Sequence, residues 1–143
     1  MCLHTKNIDK QIATEDITVW KVLRYIKFDS GDFAYLTPYR LAEVDLKKPM
    51  TSELIIEGGG GYFRFVNVGL HTFKNYKDTV HECKYWNIYN LCHRNEYFVV
   101  VKAIIPKNSE YAEGVAVENV PSYASNKLIF DESFTPKKCC NEN

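Results

Sequence analysis

His71 is the residue whose type and setting most invite chemistry. It follows Gly69 by two positions, at an expected strand-to-helix junction, and an imidazole there could point into a cleft and titrate near neutral pH. Arg40 and Tyr39 could stand beside it as an anion contact and a stacking contact. Ser122 or Ser125 on a cleft wall, with Glu113 or Glu118 as the acid, would complete a small transferase or nucleotide-binding enzyme. Such a site exists only if His71, Arg40 and Ser125 converge on one pocket, because geometry precedes pKa in any catalytic argument. The sequence holds no assembled catalytic motif. The expected function is therefore a non-enzymatic binding or accessory protein with an aromatic-rich surface, acting on a protein partner, and the enzyme with a small nucleotide ligand is the alternative.

The remaining motifs are weaker. Gly58–Gly61 is followed by Tyr62-Phe63-Arg64 and not by the Lys and Ser/Thr that complete a phosphate loop, so it reads as a hairpin tip. His71, His81, Cys83, Cys92 and His93 are zinc-ligand types without zinc-ligand spacing: there is no paired-cysteine knuckle, and His81 and Cys83 fall on different faces of a helix. No metal and no cofactor is expected. Lys74, Tyr76, Lys77 and Lys84–Trp86 interleave charge with aromatic rings, the ingredients for single-stranded nucleic acid. With 18 basic and 18 acidic residues and no recognisable motif, a nucleic-acid partner is not expected.

These residues must be held by a fold, and composition bounds it. The 143 residues suit one domain, and 45% hydrophobic content supplies enough apolar surface for a core. The domain is assigned to residues 1–136, with 137–143, which contain Cys139 and Cys140, as a flexible polar tail. No apolar run approaches the roughly 20 residues of a membrane span, the amino terminus has no signal-peptide pattern, and five unpatterned cysteines read as reduced thiols. The chain is expected to be cytoplasmic and off the membrane.

The fold class expected is α+β, a mostly antiparallel sheet with one main helix. Ile17–Tyr25 alternates as a strand and is expected to open the sheet; Asp29–Asp32 is turn chemistry leading into Phe33–Leu36; Ser52–Glu57 and Tyr62–Val66 are short strands. Helical spacing of Phe73, Tyr76, Val80, Cys83 and Trp86 predicts a helix over about 72–91, capped by Thr72 and fraying near Asn87–Asn90. Glu96–Ile105 is so continuously apolar that it belongs at the centre of the sheet. A weak segment at Glu113–Val120 and a closing strand at Asn126–Phe130 follow, and Tyr123 reads as core.

Gly69-Leu70-His71-Thr72-Phe73, set between Thr37–Arg40 and the segments Ala103–Lys107 and Ser122–Ile129, resembles small uncharacterised proteins of tailed phages and gut bacteria. That group shares a G-[FL]-H-x-F turn before a helix and an I-P-K strand end. The resemblance implies a shared fold and an interest in His71, and no activity. The chain is more distantly similar to ADP-ribosyltransferases, in the order of an early strand ending near Lys21–Arg24, the serines Ser122 and Ser125, and a late strand. Asn126–Lys127 stands where that family has glutamate, leaving Glu113 and Glu118 as the nearby acids.

Overall fold

β-branched and aromatic residues dominate the two longest extended segments, and each alternates between two buried faces, which fixes the layout of the molecule. The computed structural model describes residues 4–5, 9–59, 63–89, 95–116 and 119–139. Along the first half run β1 (His4–Thr5), β2 (Gln11–Ile12), β3 (Ile17–Lys27), β4 (Phe33–Leu36), β5 (Glu43–Val44) and β6 (Met50–Thr51). Then come β7 (Ile55–Gly59), β8 (Phe63–Val68), β9 (Leu70–Phe73), α1 (Tyr76–Tyr89) and β10 (Glu96–Ile105). The chain ends with β11 (Glu110–Val115), β12 (Pro121–Ser125), β13 (Lys127–Phe130) and β14 (Lys137–Lys138). Among the described residues every strand pairing is antiparallel, and no helix is long and apolar enough to cross a membrane.

β3 and β10 form the spine, in register from Ile17 opposite Ile105 to Ile26 opposite Glu96, with Arg24 and Glu96 ion-paired at one end. Val19, Leu23, Val99, Val101, Ala103 and Ile105 face one core; Trp20, Val22, Phe98 and Val100 face a second core beneath α1. Burial of each large aliphatic side chain contributes about 1.5–3 kcal/mol. β10 lies inside the sheet as expected; β3, expected as its first strand, is preceded along the chain by the two-residue β1 and β2 and lies between β10 and β9.

The sheet rolls on itself. Its order includes β13-β10-β3-β9-β12, which puts β12 and β13 four strand spacings apart, about 19 Å if the sheet were flat. Yet Asn126 alone joins them, and one intervening residue spans no more than about 7 Å. The sheet must therefore curl until the two strands meet, which is why Tyr123, Leu128 and Phe130 share a core with Val19 and Leu23. Asn126 secures the junction: its N–H donates to the Glu110 carbonyl, its Oδ1 accepts from the Glu110 N–H, and its carbonyl accepts from the Ser52 N–H.

Several expectations give way. The helix begins at Tyr76 and not at 72, because Thr72 and Phe73 pair as strand with Tyr123 and Ser122, and Phe73 also with Trp20. Asn75 precedes the helix instead: its carbonyl accepts from the Thr79 N–H and its side chain donates to Asp78. Asn87 does not fray; it is 3% exposed and hydrogen-bonded to Phe98. The weak segment at Glu113–Val120 is a true strand only as far as Val115, starting at Glu110, and β12 arises where no strand was expected. At 137–138 the expected flexible tail is β14, paired with Val99 and Val100, and Cys139 is buried against Cys83 in the core beneath α1. β7 and β8 do form a hairpin, whose tip from Gly60 to Tyr62 lies outside the described residues.

Candidate functional site

β3 is covered unevenly along the edge away from β10. β9 reaches it only at Trp20, opposite Phe73, and β4 takes over only from Arg24, opposite Leu36. Among the described residues no strand pairs with positions 21–23 on that edge, and a notch opens in the sheet. Successive strand residues point to opposite faces, so a cleft lined by both Lys21 and Val22 of β3, and by both Leu70 and His71 of β9, must run through this notch.

The cleft holds about 380 Å³, within the range of small-molecule sites. Its mouth is the turn after β4. There Thr37 ties the chain back on itself, its N–H donating to the Ala42 carbonyl while its Oγ1 accepts from the Ala42 N–H, and Leu41 takes a φ of 54°. The turn places Tyr39 and Arg40 over the opening. Opposite them Trp86 projects from α1, edge-on to Tyr39 at 5.6 Å and to Phe98 at 5.5 Å between ring centroids, so Phe98 backs Trp86 and fixes its angle. Asn67, Ser52 and Thr51 add polar groups; Gly69 sits in the wall, where a Cβ would come within 2.9 Å of the Leu54 side chain.

At the notch lies Lys21. It occupies the inward register of β3 between Val19 and Leu23 and is 8% exposed. Its Nζ donates to the His71 carbonyl at 2.7 Å, an acceptor on the stretch of β9 that β3 does not pair. Burial brings the ammonium down to about 8. None of the described residues lining the cleft is Asp or Glu, so the charge has no carboxylate counterpart there. His71 itself is pushed down to about 4 by burial and by the nearby Lys21 and Arg40 charges. Its buried Nδ1 has no hydrogen-bond partner among the described residues. At neutral pH the imidazole is uncharged and one ring nitrogen is an acceptor.

His71 thus makes the protein acid-sensitive. Between about 6.5 and 4 the unfolded chain binds a proton that the folded chain refuses, so stability falls as pH falls through that window, by up to about 3 kcal/mol. Thermal melts from pH 7 to 4 should show a shallower decline for His71→Gln than for the wild type; equal slopes would remove His71 as the cause.

The structure brings His71, Arg40 and Tyr39 together and leaves the other candidates outside. Ser125 and Ser122 are buried away from the cleft, their hydroxyls donating to the Lys127 and Val120 carbonyls. Glu113 is on the surface, paired with Lys74 at 3.0 Å. Glu118 lies outside the described residues, as do Cys92 and His93; among those described no group of three His, Cys, Asp or Glu could hold a metal. His71 lies within β9 and not at a strand-to-helix turn. Lys21 was not singled out from sequence, although a lysine in the inward register of an apolar strand is a signal.

Comparison with known proteins finds no match: no family model, no curated protein and no solved structure matches the chain.

Proposed function

We propose that the chain is a non-enzymatic binding or accessory protein whose cleft takes a small organic anion carrying a planar ring, of the nucleotide class. One observation carries the reading: a nearly buried lysine ammonium, Lys21, lines a cleft of about 380 Å³ in which no described residue offers a balancing carboxylate. An unpaired buried charge is unfavourable by several kcal/mol, and an anionic ligand is what would offset it. Arg40 at the mouth offers a planar fork for phosphate or carboxylate oxygens. Tyr39 and Trp86 offer ring faces and edges to a planar group. Among the described residues, the occupied hydroxyls of Ser122 and Ser125 and the Lys74-paired Glu113 offer this cleft no nucleophile-side or acid group for a transferase.

Thermal-shift titration tests this. ATP, NAD and adenosine should separate by charge: the phosphate-bearing probes raise the melting temperature and adenosine does not. A ligand at about 100 times its Kd stabilises by about 2.7 kcal/mol. Arg40→Ala should weaken the shift by about tenfold in apparent Kd, the equivalent of one charge-assisted contact. Equal shifts with ATP and adenosine, or none with any small anion, would refute the assignment.

A further inference from the structure

Resting on the anion-binding reading above, we infer that Lys21 captures the carbonyl group of an aldehyde-bearing aromatic anion as a reversible imine. The ligand class is an aromatic aldehyde with a phosphate or carboxylate group.

Three observations converge on Lys21. First, Lys21 lies at the notch between β3 and β9, 8% exposed yet lining the cleft together with Val22, Leu70 and Phe73. An apolar setting without a carboxylate favours the neutral amine. With the ammonium brought down to about 8, about a tenth of it is neutral at pH 7. Second, the hydrogen bond to the His71 carbonyl uses a single N–H; a neutral amine keeps that donor and still has a lone pair to give. Third, His71, uncharged at neutral pH, lines the same cleft.

The step balances without an oxidant or reductant. The Lys21 lone pair attacks the carbonyl carbon, a C–N bond forms, and the C=O π pair moves to oxygen. Water in the cleft carries the proton from the nitrogen to that oxygen. A proton from water on the hydroxyl lets it leave as water while the nitrogen lone pair forms the C=N bond, and the proton left on nitrogen is returned to water. Hydrolysis reverses each step, so the event is capture and release with no net turnover. Arg40 holds the anionic group, and the Tyr39–Trp86 pair receives the ring.

The experiment uses pyridoxal 5′-phosphate, a phosphate-bearing aromatic aldehyde, with pyridoxine 5′-phosphate as the alcohol that cannot form an imine. Borohydride reduction of the mixture should fix one equivalent, and peptide mapping should place it on Lys21, labelled about tenfold or more faster than any exposed lysine at pH 7. Lys21→Arg, checked for folding by its melt, should lose that label. Labelling spread over exposed lysines, or absent from Lys21, overturns the imine. If the Lys21 label is absent while pyridoxine 5′-phosphate stabilises the wild type, the anion site stands and the imine falls; if neither compound binds, both readings fall together.

Discussion

Lys21→Met will abolish binding of phosphate-bearing ligands and at the same time raise the melting temperature. Methionine matches the length of the lysine stem and is adaptable in packing, so it should fill the notch between Val19 and Leu23. The burial that brings the ammonium from 10.5 to about 8 corresponds to about 3 kcal/mol of destabilisation at neutral pH. Against this, the His71 carbonyl loses its donor, at about 1–2 kcal/mol. The net gain of about 1–2 kcal/mol amounts to a rise of about 3–8 °C. The sign can be checked by pH: between about 8 and 10.5 the unfolded chain holds a proton that the folded lysine has given up, so wild-type stability rises with pH and the advantage of the variant shrinks. A variant that melts lower than the wild type at pH 7 and still binds ATP would contradict the whole account of Lys21.

The second large effect is a loss. Asn87→Ala should destabilise the fold by about 3–5 kcal/mol, because the side chain is the partner of two buried backbone groups at once. Its Oδ1 accepts from the Phe98 N–H at 2.7 Å and its Nδ2 donates to the Phe98 carbonyl at 3.1 Å. Such a pair lets a helix side chain stand in for a neighbouring strand on β10, and alanine leaves both groups unsatisfied in a region water does not reach. Urea unfolding measures the change, and a loss under about 1 kcal/mol would mean that water or a shifted strand replaces the asparagine. Because Trp86 is adjacent on α1 and backed by Phe98, the variant should also weaken ligand binding at temperatures where it remains folded.

How much of this was legible in the sequence depended on how local the cause is. The strand Glu96–Ile105 is legible to the residue because its buried positions fall on both faces and leave no other periodicity. The hairpin at Asp29–Asp32 was equally clear, since Gly31 takes a φ of 94° in the turn that joins β3 to β4. Thr72 and Phe73 were misread because their helical spacing with Tyr76 and Val80 is real, and only pairing with β12, about fifty residues away, overrides it. Asn87 carries the composition of a frayed end, and its role exists only because Phe98 lies beside it. Arg40, Tyr39 and His71 were picked out as a group from residue type, but Ser125 and Glu113 were joined to them by chain order, which says nothing about the side of the sheet on which a residue falls. The notch that makes Lys21 important is a gap between two strand partners, and no local pattern encodes a gap.

The β3–β10 spine also sets when the protein can begin to fold. Ile17 faces Ile105, so the strand that anchors the sheet leaves the ribosome with only its local hairpin partner, β4, and waits through most of synthesis for the other. Pairings of such long sequence separation form slowly, in milliseconds to seconds, and the apolar edge of β3 is open to other nascent chains in the meantime. The yield of native protein should therefore depend on translation speed and chaperone supply more than the final stability would suggest, with Lys21, Arg24 and Lys27 as the charges that guard the waiting strand.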